Sequence, residues 1–166
     1  RIVKSGDTGV TLIRLKFSAF DEDVDIQRVA FALNGTASNT PVDLVNQELR
    51  LYDEAAPTTL LASAQFTANG DFATSSLIAQ GSFRVPKGSS RDLVVKGDIS
   101  AITTSGPLLR SGDFVRVDYD GDANGVNGGN YGTGVSSGST IAPTSADAPN
   151  NSNIGVRVLK SYPTFA

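Results

Sequence analysis

The stretch Asp113–Gly125, DFVRVDYDGDANG, constrains this chain most: an alternating strand runs straight into an acidic loop punctuated by glycine. Side chains of a strand point to opposite faces with period two, so Val115, Val117 and Tyr119 share one face and Phe114, Arg116 and Asp118 the other. The same alternation fills Val10–Phe20, with Ile13, Leu15, Phe17 and Ala19 on one side and Arg14, Lys16 and Ser18 on the other. Short period-two runs joined by polar turns predict stacked β-sheets.

Further along, Val24 and Ile26 keep one phase while Val29, Phe31 and Leu33 keep the opposite one, which predicts a β-bulge near Gln27-Arg28. Asn34-Gly35 and Asn69-Gly70-Asp71 mark turns, because Asn and Gly tolerate positive φ. Thr40-Pro41-Val42-Asp43 has a cap, a first-position proline and a first-turn acid, so at most one short helix is expected near Pro41–Glu48. Glu48–Asp53 and Leu60–Thr67 form the arms of a hairpin, and Ser82–Pro86 is a short strand. Asp92–Ile99 has apolar residues on both faces at Leu93, Val94 and Val95, the pattern of a strand covered on both sides. Gly121–Asn153 is dominated by Gly, Ser, Asn and Thr and holds one weak strand near Ser139–Ala142, before the closing strand Ile154–Leu159.

The expected architecture is all-β, an Ig-like antiparallel β-sandwich of about eight to ten strands. Residues 1–9 read as a linker or edge segment, 10–159 as one domain, and 160–166 as an extended tail whose Tyr162, Pro163 and Phe165 want a surface to lie on. At 166 residues the chain can bury roughly 70% of its unfolded surface, enough for a core without staples. Opening on Arg1 without an initiator Met suggests a processed product or a piece of a longer polypeptide.

Composition narrows the chemistry. The chain has no Cys, His, Met or Trp, which removes zinc sites built on those ligands, thiol nucleophiles, His-based triads and disulfides. Its 14 Lys and Arg residues are scattered and the net charge is −3, so no nucleic-acid surface is expected. No segment approaches the roughly 20 apolar residues of a membrane span.

From Asp120 the loop matches D-x-[DN]-x-[DN]-G, in which Asp120, Asp122 and Asn124 turn oxygens inward and Gly125 allows the bend. The candidate metal ligands are Asp118, Asp120, Asp122, Asn124 and the carbonyl of Val126, holding a structural Ca2+. The twelfth position is Tyr131 where a helix-loop-helix site has Glu, so further oxygens would come from Asp147 or the acidic turn Asp21–Asp23. The alternative is an Asx-rich turn that bonds its own backbone.

A glycosidase needs two acids roughly 5–10 Å apart across a cleft; Asp21, Glu22, Asp23 and Asp25 crowd one strand start, and Glu48 and Glu54 have no evident partner. A sugar-binding face needs flat aromatic platforms, for which Phe20, Tyr52, Phe114, Tyr131 and Tyr162 are candidates. Asn34-Gly35-Thr36 and Asn150-Asn151-Ser152 have the form of glycosylation sequons.

Taken together, VTLIRLKFSA, ELRLYDEAAPTTLLASAQF, RVPKGSSRDLVVKGDI, DFVRVDYDGDANG and VRVLKSYPTFA cover most of the chain and resemble the Ig-like repeat domains of secreted bacterial surface proteins, including adhesins and surface-layer or filament subunits. The resemblance implies an extracellular, cell-surface building block without catalytic activity, often calcium-bound and often repeated or polymerised. No internal repeat is visible, so repetition would lie between this chain and its neighbours. Two functions are therefore expected to compete: a structural domain assembling with copies of itself or tandem neighbours, and an adhesin-like or carbohydrate-binding module that meets a glycan or cell-surface ligand through a calcium-ordered loop.

Overall fold

In the computed structural model, which describes residues 1–33, 40–67, 70–102, 111–123, 125–126, 128–143 and 155–161, the alternating runs are strands. They follow in chain order as β1 (Ile2–Lys4), β2 (Val10–Ala19), β3 (Val24–Arg28), β4 (Ala30–Leu33), β5 (Glu48–Asp53), β6 (Ala56–Gln65), β7 (Phe72–Thr74), β8 (Arg84–Val85), β9 (Ser89–Gly97), β10 (Phe114–Val115), β11 (Val117–Tyr119), β12 (Tyr131–Gly134), β13 (Thr140–Ile141) and β14 (Val156–Leu159). The chain is all-β, and these fourteen strands exceed the expected eight to ten. One reason is that Val29 alone separates β3 from β4 and Arg116 alone separates β10 from β11, cutting two expected strands in half.

The longest strands form one antiparallel sheet in the order β2-β9-β5-β6. The others form β13-β12-β3-β8 and β11-β4-β7, both antiparallel, and β1-β14-β10, in which β1 pairs with β14 in parallel. Opposite β12, Arg28 pairs with Tyr131 and Ile26 with Gly132, leaving Gln27 as the extra residue. This is the bulge that the phase switch announced, and it leaves Val24 and Ile26 at the margin of the core while Val29, Phe31 and Leu33 lie deep within it. A Cβ on Gly132 would stand 2.8 Å from the Asp25 carbonyl, so glycine is what lets β12 close on β3 here.

A second bulge was not anticipated. β2 pairs Thr11 with Lys96 and then Ile13 with Val95, so Leu12 is extra, and the core face passes from Val10 and Leu12 to the partly buried Ile13, Leu15 and Phe17. Leu93, Val94 and Val95 of β9 are all buried, as expected for a strand covered on both faces. The hairpin forms with Leu49 opposite Ala64 and Leu51 opposite Ala62, four core positions facing inward. Its second arm starts at Ala56, earlier than Leu60, and Pro57–Thr59 bulge out of register on the outer edge. A proline and an irregular register both discourage another strand from adding there.

The expected helix is a pair of 3-10 turns, Pro41–Asp43 and Val45–Gln47. The Thr40 N–H donates to Asp43 Oδ2 at 2.8 Å, so the start signal works. Leu44 then breaks the run with an extended backbone, its side chain buried and its main chain bridged to Ile99. The Asn34-Gly35 turn, Asn69, Asn124, Asp147, both sequons and Tyr162–Ala166 lie outside the described residues.

Candidate functional site

β11 ends at Tyr119 and delivers Asp120 into the loop, where its N–H donates to the Ala30 carbonyl at 3.0 Å. The Asp122 N–H donates to Asp120 Oδ1 at 3.2 Å, closing an Asx turn. Ten residues on, Asn130 organises the rest from a site only 4% exposed. Its Oδ1 accepts from the Ala30 N–H at 2.6 Å, and its Nδ2 donates to the carbonyls of Asp120 and Ala123, each at 2.5 Å. Its main chain binds the same loop, donating to the Ala123 carbonyl at 2.8 Å and accepting from the Gly125 N–H at 3.0 Å. From β7, Thr74 Oγ1 donates to the Gly128 carbonyl at 2.6 Å.

The predicted ligands are placed as follows. Asp118 is buried on β11 with its carboxylate 3.2 Å from Arg116 Nε, two residues back on the same strand face. Asp120 is buried and holds the Asx turn, while Asp122 and Val126 are exposed and Asn124 is outside the described residues. Among the described residues no three acidic side chains gather at one point. The described donors form a hydrogen-bonded turn whose hub, Asn130, is an amide and not a carboxylate, and without Asn124 they do not make up a calcium shell.

The acidic turn after β2 also works through hydrogen bonds. Glu22 Oε2 accepts from the N–H groups of Ser136 and Ser137 at 2.8 and 2.9 Å, and its Oε1 from the Ser137 hydroxyl at 2.7 Å, which fastens the β12–β13 connection. Asp23 Oδ1 accepts from the Lys87 N–H at 2.8 Å. Asp25, buried on β3, takes a bidentate pair from Arg84 directly opposite on β8, at 2.8 and 2.9 Å. Arg91 of β9 pairs with Asp53 of β5, donates to the Arg84 carbonyl at 2.9 Å and stacks 5.0 Å above the Phe83 ring. Arg50 pairs with Asp98, and Arg14 with Glu54. These carboxylates hold neighbouring segments together, and each meets a different donor; none of these contacts sets two acids face to face across a cleft.

Asp25 and Asp43 are shifted in opposite directions. The bonds from Arg84 hold Asp25 below its ordinary value, whereas burial, aided by the charge of Asp113, pushes Asp43 above it. A lowered folded value means that the contribution of Asp25 is present above about pH 4 and is lost as pH falls through that lowered value. A raised one means that the contribution of Asp43 is present below about pH 4 and is lost as pH rises through the raised value. Urea unfolding followed against pH is expected to show a flatter acid limb for Asp25→Asn. Asp43→Asn keeps an acceptor for the Thr40 N–H, and is expected to be more stable than the parent at neutral pH and equal to it in acid. Equal stability of parent and Asp43→Asn at neutral pH would show that burial does not strain this carboxylate.

Comparison of the chain with models of protein families, with curated proteins and with solved structures finds no match. What the fold and this region define is an all-β domain in which Asn130 ties the acidic loop to β4 and Glu22 ties the acidic turn to the β12–β13 connection. Asn130 was not singled out beforehand, because in NGGNYG it looks like any turn residue.

Proposed function

We propose that the chain is an extracellular structural domain, an Ig-like antiparallel β-sandwich set end to end with copies of itself or with tandem neighbours in a surface filament, layer or stalk. The observation that carries this reading is the parallel pairing of the first and last strands, Ile2 opposite Arg157 and Lys4 opposite Leu159. Parallel neighbours run the same way, so the chain enters at one end of this strand pair and leaves at the other. Units joined through those ends continue in a line, as an open head-to-tail contact requires. The sandwich form is supported by a single core shared between Leu49, Leu51, Leu93 and Val95 of the β2-β9-β5-β6 sheet and Phe31, Val117 and Val158 of two others. A structural and not an enzymatic role is supported by the carboxylates, which are tied to arginines and backbone N–H groups as described.

Sedimentation velocity and negative-stain imaging at rising concentration, with calcium and with chelator, test the reading. Rows of end-to-end particles are expected; monomers alone in both conditions overturn it. In the same samples, a calcium-dependent rise in melting temperature would mean that donors such as Asn124 and Asp147 complete a metal shell, and equal melting in chelator is what the Asx turn requires.

The adhesin-like alternative draws support from Tyr119 and Tyr131, which stand at the two ends of the loop and line one cavity. Its carbohydrate form is less well supported, because two of the candidate platforms are already covered by cations: Lys96 lies 4.6 Å over the Tyr52 ring and Arg157 lies 5.3 Å over Phe114.

A further inference from the structure

A cavity of about 290 Å³ lies beside the loop, lined by β2, β3, β8, β12 and β13. Phe17, Ile26, Val85 and Ile141 make its walls apolar. Into this lining comes one cation, Arg28, whose Nε is buried without a hydrogen-bond partner among the described residues. Arg14, Arg50, Arg84, Arg91 and Arg116 each face a carboxylate, and Arg28 faces none among the described residues. A buried N–H ordinarily has an acceptor, and a guanidinium beside apolar walls is shaped to receive a carboxylate through two parallel bonds. The volume is at the small end of ligand sites, which start at about 300 Å³.

The other polar lining narrows the ligand further. Asn130 borders the cavity, but both of its amide N–H donors are spent on the Asp120 and Ala123 carbonyls and its oxygen already accepts from Ala30, so it has no donor left for a ligand oxygen. Tyr131, opposite Arg28 in the β3–β12 register, lines the cavity as well, together with Tyr119 and Ser18. We propose that this cavity binds a small amphiphilic monocarboxylate, its head group on Arg28 and its short apolar body against Phe17, Ile26 and Ile141. This site is independent of end-to-end assembly, and the domain can carry it whether or not it polymerises.

An NMR titration of the full chain with hexanoate, hexanol and hexylamine tests it. Hexanoate is expected to shift the amides of Ile26, Arg28 and Tyr131 saturably, with hexanol about tenfold weaker, since only the carboxylate makes charge-assisted bonds. Hexylamine is expected to leave them unmoved. Arg28→Gln is expected to weaken hexanoate about tenfold, while Lys16→Gln, an exposed cation on β2, leaves it unchanged. Should Arg28→Gln not fold, Arg28→Lys keeps the charge without the planar fork and is expected to weaken hexanoate about threefold. Hexanol binding as well as hexanoate, hexanoate binding undiminished after loss of the guanidinium, or no saturable shift with any of the three would each overturn the assignment.

Discussion

Asn130→Ala is expected to lower the unfolding free energy by about 3 kcal/mol, the cost of stranding partners that the buried amide now satisfies. The substitution removes the acceptor of the Ala30 N–H and the donors to the Asp120 and Ala123 carbonyls at one stroke. Ala30 is itself buried, so water cannot easily replace the lost oxygen there. For a chain of this length the melting temperature should fall by about 6–12 °C, with an unchanged urea m-value if the rest of the fold persists. Asn130→Asp separates the two halves of the effect, because it keeps the oxygen toward Ala30 and turns a second oxygen toward two carbonyls. It is expected to be at least as damaging as alanine at neutral pH. An aspartate variant as stable as the parent would show that the two donor bonds contribute nothing, and that the loop is held by its backbone alone.

That a residue so central was not distinguished in the sequence has a physical cause. Strand alternation is local: β2 and β5 betray themselves because one face is more buried than the other, β9 because its apolar run is covered on both, and the Gln27 bulge because the phase flips on either side of it. Leu12 carries the same signal in compressed form, as Val10 and Leu12 give way to Ile13 and Leu15, but two residues before a switch are too few to fix a phase. Asn130, by contrast, is defined by Ala30, a hundred positions away, and Asp25 by Arg84, fifty-nine positions away. Nothing within a window of local sequence reports such partners. The D-x-D-x-N text is ambiguous for a related reason. Calcium loops and Asx turns both bring alternate oxygens inward, and the difference lies in what those oxygens meet, here the Asp122 N–H for Asp120 and Arg116 for Asp118.

Phe83→Ala should be the more damaging substitution of the two, at a total cost of about 4 kcal/mol, because it opens a large void and unseats a cation that bridges strands. The ring is fully buried and meets Phe17 edge-on, with centroids 5.9 Å apart and planes at 81°. Arg91 lies over its face, and that same guanidinium reaches Asp53 on β5 and the Arg84 carbonyl on β8. Removing the ring therefore withdraws packing from β2 and, in addition, the surface that fixes the Arg91 rotamer. Phe83→Leu refills most of the volume without the flat face, and is expected to cost about 1.5 kcal/mol. A double-mutant cycle with Arg91→Met measures the coupling between ring and cation, expected at about 1 kcal/mol. Additive losses in that cycle would mean that Phe83 acts through volume alone, and that Arg91 is oriented by Asp53 without help from the ring beneath it.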